Sequence, residues 1–167
     1  MSPVFTNYTG LIILSPFLEL LFPKCGLMEE GSFRNKESRV RAVQLLDYAA
    51  TADTNSQEHE LLIPKVLCGI PVSEPIDVSY HLTEEHKLIV DDLLLAVTQQ
   101  WRGMENTSIT ALRETFLQRD GKLEELDEHF YIKVEQRSYD VLLDRIPWNI
   151  STIKLNWINK PIEIEWR

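Results

Sequence analysis

The amino-acid sequence predicts an α+β fold in which N-terminal helices pack with a small antiparallel C-terminal sheet. Apolar residues recur at helical spacing up to about residue 120, and beyond that point they alternate with polar residues with a period of two. The chain has 167 residues, of which 44% are apolar, so it can bury a core of its own. We therefore predict a single domain over residues 1–167, with a helical part at about 10–120 and a sheet part at about 121–167.

The first helix is predicted to follow Ser15 and Pro16. Serine is a common helix cap, and proline is favoured at the first helical position. Apolar side chains up to Phe22 then supply a buried face, and Pro23 and Gly26 end the helix. The pattern indicates a short helix that lies within the core.

Two further helices are predicted before residue 70. Helical spacing resumes at about Lys36 and is lost in the polar stretch that begins at Ala52. Pro64 can open a short helical turn that runs to Cys68, with Gly69 just past its end. A surface loop after the second helix and a connector after the third complete this region.

The strongest helix signal in the chain begins at Thr83. Its hydroxyl can cap a helix, and the two glutamates that follow it favour the positive end of the helix dipole. Apolar residues then continue at helical spacing as far as Trp101. Another helix is predicted after the capping side chains at 106–108, with Gly121 as its end.

Alternation with a period of two predicts the strands. Residues 123–126 and 130–134 are expected to pair as a hairpin. Residues 139–146 indicate one or two helical turns, and the alternation returns at 153–157 and at 162–166. Helices first and strands last is the order of an α+β protein.

Charge and hydropathy argue against two kinds of partner. The net charge of −9 at pH 7, without a local run of Lys or Arg, disfavours binding to nucleic acid. The apolar stretch at 10–22 is interrupted by Ser15, Pro16 and Glu19, and it is shorter than the roughly 20 residues that a membrane-spanning helix needs. We interpret this stretch as core and expect no membrane insertion.

The usual motifs for catalysis and cofactor binding are incomplete. His59 and Glu60 begin a zinc-protease pattern, but Ile63 stands where the second histidine should be. The glycines are isolated and form no phosphate-binding loop, and no serine stands in a Gly-x-Ser-x-Gly elbow. Cys25 and Cys68 are too far apart for a metal knuckle and are expected to be buried free thiols, as in a protein made in the cytoplasm. We therefore predict no catalytic, cofactor or metal site.

Charged residues near the C-terminus are candidates for an interface. On an α-helix, Asp140 and Asp144 would share one face, between Arg137 and Arg145. This spacing favours a structural or interfacial cluster of ion pairs over a catalytic pair of carboxylates.

Tryptophans also concentrate near the C-terminus. Trp148, Trp157 and Trp166 can either fill the core between sheet and helices or form an exposed aromatic interface. The candidate interface residues are therefore Asp140, Asp144, Arg145, Trp148, Trp157 and Trp166.

Several segments together resemble a known family. In chain order they are SPFL at 15–18, HEL at 59–61, LCGIP at 67–71, LRETFLQR at 112–119, YDVLLDRIPW at 139–148 and IEIEW at 162–166. From about Tyr8 to its end, the chain is similar to the C-terminal region of the tape-measure proteins of contractile injection systems, which are phage-tail-like particles of bacteria. It departs from the family pattern at 156–158, where the family tends to have Pro-Trp-Met and this chain has Asn-Trp-Ile.

The resemblance implies a structural assembly component and not an enzyme. It implies a terminal anchor that docks at one end of the inner tube, near the baseplate and spike hub or near the cap, and that helps to set tube length. Several copies are expected to meet as a trimer or hexamer. The chain would be made in the cytoplasm and then reside in the particle, including outside the cell after release.

Length limits what this chain can do in such a particle. A fully helical chain of this size spans only roughly 250 Å, and this sequence is patterned for a compact fold. It is therefore not itself the ruler of a long tube. The resemblance implies either an anchor whose long N-terminal measuring region is absent here or a shortened paralogue that kept only the anchor.

Two other functions remain as alternatives. The chain could be an adaptor or chaperone that binds effector cargo through an acidic face. It could also be a small hydrolase, for which His59, Glu60 and other carboxylates would have to converge in a pocket.

Overall fold

The computed structural model describes residues 2–77 and 82–167, and it confirms the α+β class. The α-helices are α1 (Ser15–Lys24), α2 (Lys36–Thr51), α3 (Leu62–Cys68), α4 (Glu84–Gln100) and α5 (Ile109–Leu112). A π-helical turn, Arg113–Leu117, follows α5 directly. Short 3-10 helices lie at Thr9–Leu14, Glu58–Glu60 and Ser138–Arg145.

The strands form one five-stranded sheet and one small hairpin in the described part of the chain. In chain order they are β1 (Val4–Thr6), β2 (Met28–Glu29), β3 (Ser32–Phe33), β4 (Gly121–Glu125), β5 (Phe130–Val134), β6 (Thr152–Ile153) and β7 (Ile162–Glu165). The larger sheet has the order β1-β4-β5-β7-β6, and β2 pairs with β3. The predicted hairpin is confirmed as β4 and β5, with Leu123 opposite Ile132.

The larger sheet is mixed, whereas the sequence predicts an antiparallel sheet. β7 runs parallel to β5, with Ile132 opposite Ile164. Parallel neighbours require a crossover connection, and residues 135–161 supply it. The edge strand β1, which pairs antiparallel with β4, was not predicted, because three residues are too few to show a period of two. Of the alternating stretch at 153–157, only Ile153 lies in a strand.

Several predicted helix ends agree with the structure. The Thr83 hydroxyl oxygen accepts a hydrogen bond from the His86 N–H at 3.1 Å, as expected of a cap. The Ser108 hydroxyl oxygen caps α5 in the same way. Gly69 follows α3 with a φ of +75°, a conformation that favours glycine.

Two predicted helix ends differ from the structure. Ser15 is the first residue of α1 and not its cap, because the 3-10 helix Thr9–Leu14 runs directly into that helix. The helix after residue 108 ends with the π-helical turn at Leu117, and Gly121 begins β4.

Most of the apolar stretch before and within α1 is buried, as predicted, but Leu20 is 71% exposed. All residues of Thr9–Leu14 are buried, and Leu21 and Phe22 extend the core through α1. Gly10 lies directly against the π-helical turn, where an added β-carbon would stand 1.7 Å from the Phe116 carbonyl oxygen. Within residues 2–77 and 82–167, no helix is long and apolar enough to cross a membrane.

Side chains from the π-helical turn region bind the C-terminal end of α2. Arg113 donates to the carbonyl oxygens of Ala49, at 3.0 Å, and Tyr48, at 3.3 Å. Gln118 donates to the carbonyl oxygen of Ala50 at 2.8 Å. The last carbonyls of a helix have no partner within the helix, so these bonds both satisfy α2 and fix the turn across its end.

The two cysteines are buried free thiols, as predicted. Burial raises the pKa of the Cys25 thiol to about 11. Burial likewise raises the pKa of Cys68. Both side chains therefore stay protonated near neutral pH.

Helices and sheet share one hydrophobic core. Leu46 of α2, Val97 of α4 and Ile132 of β5 all belong to the same cluster of buried side chains. We propose on this basis that the chain folds as one domain.

The close approach at Gly10 gives the first test of this core. Gly10→Ala should lower the free energy of unfolding by about 1–3 kcal/mol, because the added carbon would overlap backbone that cannot rotate away. Urea unfolding followed by circular dichroism and by tryptophan fluorescence would measure the loss, and the two transitions should coincide in a single domain.

Gly31→Ala is the matched control for this test. Gly31 has a φ of +83° but open space around it, so alanine there should cost only backbone strain of about 1 kcal/mol. A loss at position 10 no larger than that at position 31 would contradict the contact with Phe116.

Candidate assembly surface

Asp140 and Asp144 both lie in the segment Ser138–Arg145, which we call the strap, but they point in different directions. On an α-helix, Asp140 and Asp144 would lie on one face. The strap is a 3-10 helix, in which three residues make one turn, so residues four apart point about 120° away from each other. The Asp140 side chain is 2% exposed and the Asp144 side chain is 57% exposed.

Asp140 is the centre of a buried network of hydrogen bonds. Its carboxylate accepts two bonds from Arg119, at 2.8 and 2.9 Å. It also accepts one from the backbone N–H of Arg137, at 2.8 Å, and one from the indole N–H of Trp166, at 3.1 Å. Although burial alone would raise the pKa of Asp140, the bonds from Arg119 and from the Arg137 N–H hold it below its usual value.

Arg119 is itself buried, and its guanidinium contacts aromatic rings and backbone carbonyls as well as Asp140. Its guanidinium lies 5.3–5.6 Å from the ring centres of Phe116, Tyr139 and Trp166. It also donates to backbone carbonyls on both sides, including that of Glu135 in the segment after β5. Arg119, Asp140 and Trp166 together therefore join the end of the helical region, the segment after β5, the strap and the C-terminus.

Trp148 and Trp157 are half-buried and bind different parts of the helical layer. The Trp148 indole N–H donates to the carbonyl oxygen of Ile13 at 2.9 Å, and its ring packs edge-on against Phe17. The Trp157 indole N–H donates to the carbonyl oxygen of Leu67 at 2.7 Å. The two rings thus fix the C-terminal segment to separate places, near α1 and at the end of α3.

Trp157 also completes the C-terminal end of α3. Arg39 donates to the carbonyl oxygens of Cys68 and Gly69, both at 3.1 Å. Together with the bond from Trp157 to Leu67, these contacts satisfy three successive carbonyls that the helix leaves without partners. The indole N–H of Trp157 thus has its hydrogen-bond partner within the same chain.

The outer face of the strap is open to solvent. Val141 is 53% exposed, and Tyr139 is 39% exposed. Asp144 accepts a hydrogen bond from Arg167 at 2.8 Å, and Arg145 is exposed beside it. Of the six candidate interface residues, Asp144 and Arg145 therefore reach the surface fully, and the others contact the chain's own core or helices.

A second exposed apolar surface lies on α4 and was not predicted as an interface. Leu88 is 63% exposed and Leu95 is 49% exposed. The two leucines are seven residues apart and lie opposite the buried stripe of Val90, Leu94 and Val97. The seven-residue spacing on the polar side of the helix was the signal that could have revealed this surface.

The residues that suggested a hydrolase, His59 and Glu60, line the same surface cavity, together with apolar side chains such as Leu62. His59 is exposed, and Glu60 accepts hydrogen bonds from the Gln57 N–H and the Tyr8 hydroxyl. Glu60 thus closes the 3-10 turn Glu58–Glu60. In the described ranges, no group of His, Cys, Asp and Glu side chains could hold a metal ion.

The buried pair of Arg119 and Asp140 leads to a prediction about stability and pH. Asp140→Asn should lower the free energy of unfolding by about 3–5 kcal/mol at pH 7, because it leaves the Arg119 charge buried without a counter-charge. The folded pKa of Asp140 is depressed, so the ionised carboxylate stabilises the fold above the unfolded pKa of about 3.9. That contribution should be lost as the pH falls toward the folded pKa.

Urea unfolding of both proteins between pH 3 and pH 7 would test this prediction. The difference in unfolding free energy should be constant above about pH 5 and should shrink below pH 4. Asp144→Asn is the control, because water screens its exposed pair with Arg167 and the pair should contribute little to stability. A gap that stays constant down to pH 3 would contradict a stabilising role for the Asp140 charge.

Comparison with known proteins gives one family match. The family model described as contractile injection system tape measure protein matches residues 2–166, which is nearly the whole chain. No curated protein matches the sequence. No solved structure matches it either.

Proposed function

Since this chain belongs to the contractile injection system tape measure protein family, we propose that it is a terminal anchor of the tape measure. In this role it docks at one end of the inner tube, against the baseplate and spike hub or against the cap, and helps to set tube length. Other particle subunits are its partners. It would be made in the cytoplasm and then held within the assembled particle.

The observation that carries the proposal is the rigid attachment of the strap. Buried Asp140, with its bonds from Arg119 and Trp166, holds the strap from the inside. Val141, Asp144 and Arg145 remain outside. A surface that is ordered before binding loses little conformational entropy when it docks, which suits a permanent structural contact.

The dimensions of the fold also favour an anchor over a ruler. The longest helix in the described part of the chain, α4, has 17 residues and spans roughly 25 Å. A length standard for a tube needs an extended element many times longer. The described residues form a compact body, which is suited to ending or attaching such an element.

We propose that the exposed candidate residues make the contact and that the others support it. Asp144 and Arg145 would touch the neighbouring subunit, and half-buried Trp148 would support the segment that follows them. Asp140, Trp157 and Trp166 would act from within, by holding the C-terminal segment in place. The expected symmetry of such a particle favours several copies of the chain, as a trimer or hexamer.

One observation keeps an adaptor or chaperone as a second candidate. Glu84, Glu85 and Asp92 on α4 form an acidic surface next to exposed leucines. A basic, amphipathic segment of cargo could bind such a surface. A chaperone of this kind would bind cargo and would be missing from mature particles.

Particle assembly in the producing cell would test the anchor. We expect the double variant Val141→Asp with Arg145→Glu to fold normally, since both side chains are exposed, yet to be missing from purified particles. Electron microscopy of those particles should show fewer tubes or tubes of irregular length. Circular dichroism of the purified variant would show that the fold is intact.

The control carries equivalent changes at exposed residues outside the strap. Leu20→Asp with Arg34→Glu replaces an exposed apolar residue and an exposed arginine far from the strap in sequence. It should give normal particles.

If the strap variant is incorporated normally and tube lengths are unchanged, the strap is not the docking surface. If the unaltered chain is found with cargo and not in particles, the adaptor function replaces the anchor.

A further inference from the structure

The exposed face of α4 combines leucines with carboxylates. Leu88, Asp92 and Leu95 follow each other at spacings of four and three residues, so they form one continuous line along the helix. Glu85 lies one turn before Leu88 on the same side. We call these residues, Glu85, Leu88, Asp92 and Leu95, the acidic ridge.

The two carboxylates of the acidic ridge are available to a partner. The neighbouring Glu84 pairs with Lys87, and Asp91 pairs with Arg113. Glu85 and Asp92, in contrast, form no ion pair within residues 2–77 and 82–167. Both are exposed beside the leucines.

A surface of the opposite kind lies at the other end of α4. The Trp101 indole N–H donates to the Leu142 carbonyl oxygen at 2.8 Å, which fixes the strap to the C-terminal end of the helix. Arg102, Arg145 and exposed Pro147 line one cleft there, together with Asp144. We call Arg102, Arg145 and Pro147 the arginine patch.

Nearby carboxylates only partly offset the charge of the arginine patch. Glu105 lies near both arginines, but its carboxylate accepts hydrogen bonds from the Gly103 N–H. Asp144 is paired with Arg167. The three arginines of this region, Arg102, Arg145 and Arg167, thus outnumber the two carboxylates, those of Glu105 and Asp144. The site is locally positive on a chain whose net charge is −9.

We propose that the acidic ridge of one copy binds the arginine patch of a second copy. This inference rests on the proposed function, because it names the partner of the exposed strap. Leu88 and Leu95 would pack against Pro147 and the aliphatic part of Arg145. Glu85 and Asp92 would pair with Arg102 and Arg145 of the neighbouring copy.

The geometry of one chain supports a contact between copies. The ridge begins near the first turn of α4 and the patch lies at its last turn, so a helix of roughly 25 Å keeps most of the ridge away from the patch of the same chain. Two ridges would repel each other, and so would two patches, so the ridge of one copy meets the patch of another. A two-fold dimer would also pair ridge with patch, but the trimer or hexamer proposed above requires a head-to-tail contact, which closes into a ring.

The two kinds of contact have different tasks. The leucines would remove apolar surface from water and so hold the copies together. The exposed charges would contribute little affinity, but they would select the head-to-tail orientation and exclude the others. A net charge of −9 on each copy opposes non-specific association, so only surfaces with local complementarity would meet.

Charge reversal on the purified chain tests this inference. Wild type should sediment as an oligomer in analytical ultracentrifugation. The ridge variant, Glu85→Lys with Asp92→Lys, and the patch variant, Arg102→Glu with Arg145→Glu, should each be monomeric because like charges now meet. A chain with all four substitutions should associate again, since both charges are reversed together.

Mixing the two double variants gives an independent result. The lysines of the ridge variant would meet the glutamates of the patch variant, and the two unaltered surfaces would also match. Each copy of one variant would then bind only copies of the other, so the two variants would alternate around a ring. Such a mixture should therefore form assemblies with an even number of copies. A hexamer would therefore reappear on mixing, whereas a trimer would not.

Leucine substitutions test the apolar part of the contact. Leu88→Ser with Leu95→Ser should shift the equilibrium to monomer by at least tenfold, whereas Leu20→Ser, at a leucine that is 71% exposed on α1, should not. Circular dichroism and urea unfolding would establish that every variant is folded.

The inference is overturned if folded wild type is monomeric at high micromolar concentration. It is also overturned if either double variant stays oligomeric, or if neither the chain with four substitutions nor the mixture associates again. A monomeric wild type whose strap variant is still excluded from particles would leave the anchor standing and would show that another subunit binds the strap.

Discussion

The buried ion pair between Arg119 and Asp140 is the interaction on which the rest of the structure depends. Each charge would be costly to remove from water alone, and each satisfies the other through two parallel hydrogen bonds. Asp140 also binds the backbone N–H of Arg137 and the indole of Trp166, while Arg119 binds the Thr115 carbonyl within the π-helical turn and the segment after β5. One pair of side chains thus joins three parts of the chain that are distant in sequence: the π-helical turn, the segment that leads from β5 into the strap, and the C-terminus.

Side chains that end helices repeat this arrangement on a smaller scale. The carbonyls at the end of α2 are bound by Arg113 and Gln118, and those at the end of α3 by Arg39 and Trp157. In each case the helix end becomes the place where a remote segment attaches. The two helices are therefore held in the fold through their polar ends as well as through their apolar faces.

The sequence predicted the features that depend on local chemistry. Thr83 and Ser108 cap helices because a hydroxyl satisfies a nearby N–H, and that requirement is visible in the sequence. The parallel pairing of β7 with β5 depends on a crossover of the chain, which no local pattern records. The interface role of the candidate residues stays a prediction. Asp144 and Arg145 are exposed, but the assumption of an α-helix misplaced Asp140, since a 3-10 helix turns it inward.

The π-helical turn at Arg113–Leu117 has a consequence for how the length of this segment can vary. A π-helical turn contains more residues than an α-helical one, and here it lies between Arg113, which binds α2, and Arg119, which binds Asp140. Deleting one residue would rotate everything after the turn by about 100° and would bring one arginine out of phase with its partner. Substitutions within the turn can be accommodated more readily than insertions or deletions, so the spacing between these two arginines is a fixed dimension of the fold.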